Sequence, residues 1–447
     1  MIQASIERCA GIDVGKKWLS VCIMTGPLQG EPRAEVRRFG TNRAELIQLR
    51  QWLQKEEITD VVMESTGSYW KPVFNELENA VKVYLANPQE VKNRKGHKTD
   101  DKDGWWLAHL LRHAMIHPSF IPPRPIRELR DLTRYRKRLI GHGTSERNRL
   151  QKILEDANVK VGNVLSDVFG VSGQLMLEGL LKGESPEQIA QYARRRARCK
   201  IADIAAAVEG HQMNDHHKRM IGYHLEHMQE IEKQLQKLDR DIEEHIRKAG
   251  LEKAWQLIQS VPGIQATSAA TVLAEIGADM SVFPSEKHIS SWAGVCPGNN
   301  RSAGKSRGSR NTGGNPWLRA GITECAWAAS VKKGCFLKEK MWRITAKHGG
   351  KKPPALFAIS HTMLILIYNV LRTGTPYQER ETVSLTEPQR ERAIRHHIRR
   401  LGKLGVSVRS PRATGKPATP AKRPRRRGVP TAPLDSQVKI GKVKKEK

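Results

Sequence analysis

The sequence predicts an α/β domain, followed by long coiled-coil helices and a mostly α-helical domain that contains a helix-hairpin-helix. Short β-rich runs alternate with amphipathic helical patterns over residues 1–125, which is typical of an α/β domain. Long polar segments with thin apolar stripes occupy residues 126–250 and indicate a helical linker. Residues 251–380 combine apolar helical patterns with a Pro-Gly turn and a glycine-rich loop, and residues 381–447 form a basic tail.

Composition points to a polyanionic partner. The 447 residues contain 77 Lys and Arg against 46 Asp and Glu, a formal net charge of +31. Nucleic acid fits this excess better than a membrane surface, because we find no signal peptide and no apolar run of about 18 residues. The six cysteines are scattered without a CxxC pair. This indicates a reducing, cytoplasmic compartment and argues against a zinc knuckle.

The first predicted element is a β-hairpin that contains a candidate catalytic acid. Its strands are Cys9–Val14 and Trp18–Met24, joined by a tight turn at residues 15–17. Asp13 interrupts the first apolar run. A carboxylate near the end of a buried strand is costly unless it is paired or holds a cation. The alternative is an Asp that only caps the turn through its own side chain.

Strands and helices then alternate, and acids fall at particular points of the order. The predicted elements are a strand at Ala34–Phe39, a helix from Asn42 to Lys55, a strand at Ile58–Met63, a helix at Tyr69–Ala80, a strand at Val81–Ala86 and a helix that begins at Asp100. Glu64 follows directly at the carboxyl end of a strand. Asp100 and Asp103 are three residues apart and share one helix face. Asp101 points about 100° away from Asp100 around the helix, so it is not a candidate ligand.

Together the four acids indicate a metal site, although each alone is more often structural. Acids in a first helical turn also suit the helix dipole, which is the alternative explanation for the last two. The strings GIDVGKK, VVMESTGSYW and KTDDKDGWWLA, with the strand order, resemble the RNase H/RuvC-like nuclease fold. They are similar to the N-terminal DEDD domain of the "IS one-ten" insertion-sequence transposases, a group that includes the Piv DNA invertase. The resemblance implies that two divalent cations, Mg²⁺ by ligand chemistry, lie about 4 Å apart on these residues: Asp13, Glu64, Asp100 and Asp103.

Two long helices are predicted in the linker. Their apolar stripes over Ile126–Val159 and His211–Lys248 indicate either a helical hairpin or an intermolecular coiled coil. The coiled coil would make the protein a dimer or tetramer. Several histidines of the second helix could suggest a metal site. Without a supporting set of carboxylates we expect them on a solvated helix face: His211, His216, His217, His224 and His227.

A helix-hairpin-helix is predicted at Ala254–Ile276. One helix ends at Val261-Pro262-Gly263-Ile264, and a second begins at once. Pro262 and Gly263 would present backbone N–H groups to a nucleic-acid phosphate at a helix N-terminus. The alternative is an ordinary corner between two helices.

The glycine-rich loop that follows is basic and contains three serines, Ser302, Ser306 and Ser309. It is too rich in glycine for a helix or strand, and it is presented by flanking apolar helices, as binding and catalytic loops often are. From chemistry alone the serines are either nucleophiles or hydrogen-bond donors to phosphate. The cations expected to bind nucleic acid are Arg301, Lys305, Arg307 and Arg310.

This loop carries a second resemblance. The pattern W-A-G-V-C-P…R-S-A-G-K…G-N-P-W-L-R is similar to the C-terminal transposase domain of the same family. The resemblance implies that Ser302 is the nucleophile, although Arg301 and Ala303 depart from the commoner Ser-Ser-Gly-Gly-Lys pattern. It also implies a composite site from different protomers, a structured bridge RNA that specifies DNA by base pairing, and a prokaryotic, nucleoid-associated protein.

The predicted function is DNA strand cleavage and rejoining by a metal-binding DEDD cluster and a serine nucleophile. One alternative is a metal-dependent nuclease or Holliday-junction resolvase that uses water as the nucleophile. Another is a non-catalytic DNA-architectural protein, which leaves the four acids unexplained. The tail at residues 381–447 holds 19 Lys and Arg against 5 Asp and Glu and no aromatic residue. We expect it to be largely disordered and to bind nucleic acid without sequence preference.

Overall fold

The structure, a computed structural model, describes residues 4–65, 67–86, 100–116, 119–296, 301–302, 305–306, 313–379 and 387–405. Two compact units divide the chain, Met1–Arg380 and Glu381–Lys447.

A mixed five-stranded sheet forms the N-terminal part of the first unit. Its strands are β1 (Arg8–Val14), β2 (Trp18–Thr25), β3 (Arg33–Gly40), β4 (Asp60–Glu64) and β5 (Lys82–Ala86). Their order is β3-β2-β1-β4-β5, with β1, β2 and β3 antiparallel and β4 and β5 parallel to β1. The predicted hairpin is confirmed, because Val14 lies opposite Leu19 across β1 and β2. The sheet fits the RuvC-like domain predicted from the sequence.

Each face of the sheet packs on helices, because successive side chains of a strand point to opposite faces. One face meets α1 (Arg43–Lys55) and α2 (Trp70–Leu77) in a cluster that includes Ala10, Ile12, Val61, Met63, Leu49 and Phe74. The other face meets α3 (Asp100–Arg112) in a smaller cluster that includes Cys9, Cys22, Val62, Leu107, Ala108 and Leu111. Asn42 caps α1 as predicted, since its side chain accepts a hydrogen bond from the Glu45 N–H.

Two long helices form a hairpin within the chain. They are α4 (Arg124–Asp156) and α9 (Asp215–Lys248), whose apolar stripes pack against each other in a shared cluster. Ion pairs reinforce the contact, as where the Arg136 guanidinium donates to the Asp239 carboxylate (Nη2–Oδ2 3.1 Å). The predicted helical hairpin is therefore present within a single chain.

A separate helical module lies between α4 and α9, and we call residues 161–208 the distal module. Its elements are α5 (Val161–Val164), α6 (Val171–Lys182), α7 (Pro186–Ala190), a 3₁₀ helix (Arg195–Lys200) and α8 (Ile201–Val208). Its apolar core, distinct from that of the hairpin base, contains Met176, Leu177, Leu180 and Ile204 and is shared with the adjoining ends of α4 and α9.

Two of the five histidines correct the expectation of a solvated face. His217 is buried at the start of α9, and its Nε2 lies 3.0 Å from Asp156 Oδ2. The His224 ring contacts the buried carboxylate of Glu146 on α4 (Nδ1–Oε2 2.5 Å). The pairing of α4 with α9 covers this part of the helix, which the pattern of one helix alone does not reveal.

The C-terminal part of the first unit is helical. Its elements are α10 (Glu252–Gln259), α11 (Ala266–Ile276), a 3₁₀ helix (Met280–Val282), α12 (Glu286–Trp292), β6 (Arg301–Ser302), β7 (Lys305–Ser306), α13 (Pro316–Val331), α14 (Phe336–Lys347) and α15 (Lys352–Thr373). These helices share one apolar core with the base of the α4–α9 hairpin. The expectation that the glycine-rich loop contains no strand is wrong for four residues, because β6 and β7 pair antiparallel.

The helix α15 is long and apolar enough to cross a membrane by length and composition, with a mean hydropathy of 1.7 over its best window. This corrects the expectation that no apolar run of this length exists. Half of that window is buried inside the protein, and Ile359, Met363 and Ile367 belong to the central core. The helix α15 is therefore part of the protein core.

The second unit contains α16 (Glu387–Lys403), so the expectation of a largely disordered tail is wrong for this stretch. Arg and His residues interrupt its apolar positions, and Ile394, Leu401 and Leu404 are exposed. Residues 406–447, with the AKRPRRR run, lie outside the described residues.

Candidate active site

Asp13 and Glu64 lie side by side at the carboxyl ends of two inner strands of the sheet. The strands β1 and β4 are parallel neighbours, with Ile12 opposite Met63, so the next residue of each strand is a carboxylate. Glu64 is the last residue of β4, and both acids are half-buried. The carboxyl ends of neighbouring parallel strands lie at the same end of the sheet. This brings together two acids that are 51 positions apart in the sequence.

Both acids belong to the face of the sheet that packs on α3. Cys9 and Val62 pack on α3, while Ile12 and Met63 face the opposite cluster. Because side chains alternate along a strand, Asp13 shares the face of Cys9 and Glu64 shares that of Val62. The sheet therefore presents both carboxylates on the side from which α3 approaches.

Two glycines bring the start of α3 against this face. A Cβ atom at Gly11 would lie 2.2 Å from the Gly104 carbonyl oxygen, and one at Gly104 would lie 3.0 Å from the Ser20 carbonyl oxygen. Ser20 lies directly opposite Asp13 across the hairpin. Asp103, half-buried and one residue before Gly104, is thus held close to the Asp13–Ser20 pair.

The far end of α3 is fixed by a buried arginine. The side chain of Arg112 is about 1% exposed and donates hydrogen bonds to four backbone carbonyls, those of Ile6, Glu7, Gly26 and Pro27. Each unpaired buried guanidinium N–H would be costly, so these contacts fix the helix in position. The acids at the start of α3 thereby stand on a rigid element.

Replacing Gly11 with alanine should separate α3 from the sheet. The added methyl group would overlap the backbone of Gly104 and of Ala108, whose nitrogen lies 2.3 Å from the ideal Cβ position. We expect the free energy of unfolding to fall by about 3 kcal/mol, measured by urea denaturation. Gly141→Ala is the matched control, because nothing lies within 4 Å there and alanine favours a helix interior. Equal destabilisation by both changes would contradict the close packing.

The donor set suits a hard divalent cation. Asp13, Glu64 and Asp103 offer only carboxylate oxygens, which Mg²⁺ prefers. Ser20 Oγ, fully buried on the same face, has no hydrogen-bond partner among the described residues. Asp100 begins α3 as predicted, but its side chain lies outside the described part of the chain. No group of three or more His, Cys, Asp or Glu among the described side chains is already arranged around a metal position.

The cysteines on this face are packing residues. Burial raises the pKa of the Cys9 thiol to about 12 and that of the Cys22 thiol to about 11. A thiol with so high a pKa stays protonated at neutral pH and is a poor nucleophile. The carboxylates, and not these thiols, are therefore the groups of this surface that could bind a cation.

The glycine-rich loop that contains Ser302, Ser306 and Ser309, which we call the serine loop, is closed at its base by two glycines. A Cβ atom at Gly314 would lie 2.4 Å from the Gly294 nitrogen, and the Asn315 N–H donates to the Trp292 carbonyl (3.0 Å). Within the loop, the backbone of Ser302 pairs with that of Lys305. Ser302 therefore stands at the end of β6. Arg307, Ser309 and Arg310 lie outside the described residues, as do the side chains of residues 301–306.

A buried carboxylate connects this loop to the long helix α4, and sequence reasoning missed it. Glu275 is about 1% exposed and accepts two hydrogen bonds of 2.8 Å from Arg134. Arg130 approaches the same carboxylate, and Asn315, which caps α13, donates to it (Nδ2–Oε2 2.6 Å). The single acid in the apolar run of α11 was the available signal. This cluster fixes the C-terminal end of the serine loop.

The predicted phosphate-binding turn is also well defined. Pro262 is buried, and Gly263 has a φ of +87° and lies against α13, since a Cβ there would be 2.6 Å from the Ala329 nitrogen. The fold itself thus requires this glycine. No side chain caps the N-terminus of α11, whose first-turn N–H groups follow the turn directly.

Two family models match the chain. One, described as "Transposase" of the DEDD IS110 type, matches residues 10–159, and another, described as "Transposase IS116/IS110/IS902 family", matches residues 255–340. The first spans the sheet and its acids, and the second spans the turn and the serine loop. Together they cover more than half of the chain.

A curated relative and two solved structures are similar to the chain. "Probable family 20 transposase" of Pseudomonas aeruginosa (strain PAO1) is 25% identical over 297 residues, which is 63% of this chain and 76% of the relative. RuvC of Thermus thermophilus is 16% identical with a TM-score of 0.21, and the same protein in complex with a Holliday junction substrate is 14% identical with a TM-score of 0.20. Each structure covers 25% of this chain and is itself matched over 99%. Because these TM-scores are low, the fold assignment rests on the strand order of the chain itself.

The first family model covers the face of the sheet that carries the acids, and the second covers the serine loop. On these matches the chain belongs to the IS116/IS110/IS902 family of transposases.

Proposed function

We propose that the protein cleaves and rejoins DNA strands with the acid face of the sheet and the serine loop acting together. The observation that carries this proposal is the placement of Asp13 and Glu64 on adjacent parallel strands, facing the helix that begins with Asp100 and carries Asp103. A DNA-architectural protein would not need carboxylates there, because they repel phosphate.

The four acids would hold two Mg²⁺ ions. Bound divalent cations at such a site polarise a phosphodiester and make a hydroxyl more nucleophilic. The chain's own part is to hold Asp13 and Glu64 on rigid strands and Asp103 on a helix fixed by Arg112. The unpaired Ser20 Oγ supports this reading, since it can bond to a water or carboxylate in the loaded site.

Ser302 would be the nucleophile. Its Oγ–H loses the proton to solvent, Oγ forms a bond to phosphorus, and the bond between phosphorus and one sugar oxygen breaks. That oxygen takes up a proton and leaves as a free hydroxyl. The phosphoserine link retains the energy of the broken ester for rejoining. The position of Ser302 at the end of β6, in a loop held by Asn315 and Glu275, supports its role.

Binding of the DNA would rest on backbone contacts. The Pro262-Gly263 turn and the uncapped N-terminus of α11 suit a phosphate. Cations of the serine loop would add further phosphate contacts: Arg301, Lys305, Arg307 and Arg310. None of these contacts reads base identity, so the target sequence must be specified by another component.

The organisation that we propose assigns residues 1–125 to the DEDD domain, 126–250 to the helical linker, 251–380 to the transposase domain and 381–447 to the tail. Family membership supports a cytoplasmic, prokaryotic setting, a homo-oligomer with a composite site and a guide RNA. Two chemical halves nearly 200 residues apart are consistent with halves from different protomers.

One experiment tests the whole proposal. Purified protein is incubated with end-labelled DNA in Mg²⁺ or EDTA, denatured, and examined for a covalent protein–DNA adduct, while RNA that co-purifies is sequenced. We expect a Mg²⁺-dependent adduct. Cleavage without an adduct would favour a nuclease that uses water, and absence of cleavage in Mg²⁺ with the RNA present would overturn the proposal.

Deleting Glu381–Lys447 should weaken DNA binding in a salt-dependent way and leave strand cleavage at saturating DNA unchanged. The segment carries 19 of the cations and releases counterions on binding without contributing to the site geometry. The slope of log affinity against log salt measures this. A matched control replaces the tail with a neutral Gly/Ser segment of the same length. Loss of cleavage at saturation would place part of the tail in the active site.

A further inference from the structure

The distal module carries a concentrated patch of positive charge that lies outside both family matches. The module has six Lys and Arg against five Asp and Glu, so it is nearly neutral as a whole. Five of the six cations fall in residues 194–200, which we call the arginine segment: Arg194, Arg195, Arg196, Arg198 and Lys200. Charge is therefore segregated within the module and not distributed over it.

These arginines are exposed, and none of them forms an ion pair with another residue that the structure describes. The arginines of α4 behave differently: Arg130, Arg134 and Arg136 each contact a carboxylate of another helix. The arginines that link α4 to neighbouring helices are thus paired with carboxylates. Those of the arginine segment have only backbone contacts, such as Arg194 Nη1 with the Gln191 carbonyl (3.0 Å).

The arginine segment is nevertheless held in a defined shape. The Arg194 N–H donates to Ser172 Oγ (2.9 Å), and Lys200 Nζ donates to the Val164 carbonyl (2.8 Å). Arg195 adopts a φ of 51°, a left-handed conformation that is unfavourable for a residue with a long side chain. Such strain persists where the surrounding structure maintains it, often at a binding site. The backbone that carries the cations is therefore fixed before an anion binds, which lowers the entropy cost of binding.

The chemistry of the surface favours a double-stranded polyanion. A shallow concavity lies between the arginine segment and residues 165–172, and Asp167 is its one acid, whose Oδ1 accepts the Phe169 N–H (2.9 Å). The segment itself, RRRARCK, contains no aromatic residue on which an unpaired base could stack and no amide side chain to read a base edge. Arginines with these neighbours bind phosphates of a backbone.

We propose that the arginine segment binds the phosphate backbone of the duplex DNA that extends from the cleaved site. The helix α9, with 34 residues, spans about 50 Å at 1.5 Å per residue, so the hairpin holds the module far from its base. Duplex DNA stays straight over that distance because its persistence length is about 150 base pairs. The inference rests on the proposed action on DNA, but it does not depend on the serine or on the metal.

The test compares two triple variants of the full-length protein with equal changes in charge. Arg195→Gln/Arg196→Gln/Arg198→Gln removes three cations of the segment, and Lys233→Gln/Lys237→Gln/Arg240→Gln removes three exposed cations from α9. Binding of a fluorescent 40-base-pair duplex of random sequence is titrated with salt, without Mg²⁺. Thermal melting of each variant checks that the fold is retained.

We expect the arginine variant alone to lose at least about tenfold in affinity, with the salt slope reduced by about 2.7, or 0.9 for each phosphate contact. Equal effects in both variants would overturn the proposal. So would a loss confined to a duplex RNA of the same length. Because binding is measured without cleavage, failure of the serine mechanism would leave this result unchanged.

A second measurement locates the contact. Cys199 lies within the arginine segment and is exposed, whereas Cys9, Cys22, Cys325 and Cys335 are buried. A photoactivatable crosslinker attached to Cys199 should crosslink to duplex DNA and lose that product in the arginine variant. Absence of a DNA crosslink, with a competent label and bound DNA, would overturn the assignment.

Discussion

Asp13→Asn should abolish strand cleavage and leave DNA binding nearly unchanged. The change keeps the size of the side chain but removes a negative charge from the face shared with Glu64 and Asp103. Loss of a cation ligand at a phosphodiester should lower the cleavage rate by roughly a thousandfold or more, equivalent to about 4 kcal/mol. Binding should persist, because it depends on Lys and Arg elsewhere in the chain. Cleavage of end-labelled DNA and its affinity are measured on the same protein.

The control for this change is Asp131→Asn. Asp131 lies on α4 with a side chain 71% exposed, and its contact with Lys71 is a long surface pair (3.8 Å) that contributes little. We expect cleavage by Asp131→Asn to match that of the wild type. Parallel loss of binding and cleavage in Asp13→Asn would indicate misfolding, and full cleavage by it would exclude Asp13 from the site.

Ser302→Ala should remove both the covalent adduct and strand exchange. The methyl side chain of alanine is close in size to that of serine and leaves the four acids in place, so DNA and metal binding should survive. Without Oγ no phosphoserine can form, and no bond energy is retained for rejoining. Denaturing gels that separate free DNA from protein-linked DNA measure the adduct.

The neighbouring serines supply matched controls in the same loop. Ser306→Ala and Ser309→Ala should still form the adduct, more slowly where a phosphate hydrogen bond worth about 1 kcal/mol is lost. Across β6 and β7, Ser302 pairs with Lys305 and Ser306 pairs with Arg301, so the two serines occupy neighbouring positions of the same strand pair. An adduct that persists in Ser302→Ala and disappears in Ser306→Ala would transfer the role to Ser306.

Mixing the two inactive proteins tests the composite site. If the acids and the serine of one site come from different protomers, Asp13→Asn mixed with Ser302→Ala should regain part of the adduct, because some sites then combine two intact halves. Each protein alone provides the baseline. A mixture as inactive as its components, under conditions where the protomers exchange, would place both halves in one chain.

Local patterns predicted much of the N-terminal domain. Period-two runs located the strands, and Asn42 with Glu45 located the start of α1, because these signals depend on a few adjacent residues. The position of Glu64 at a strand end was likewise visible in the sequence. The expectations of a solvated helix face at His224 and of a loop without strands at β6 were wrong. In both places the missing information was the second element that contacts or pairs with the segment.

The sequence by itself determined the order of the strands and helices, the residue types available for chemistry and the family of transposases to which the chain belongs. Only the tertiary structure decided which residues meet. It packs Gly11 against Gly104, pairs Glu275 with Arg134 across 141 positions, and leaves the arginine segment exposed, with no carboxylate partner among the residues that the structure describes. The physical reason is that burial and pairing depend on contacts between distant segments, whereas the periodicity of one segment reports only its own helix or strand.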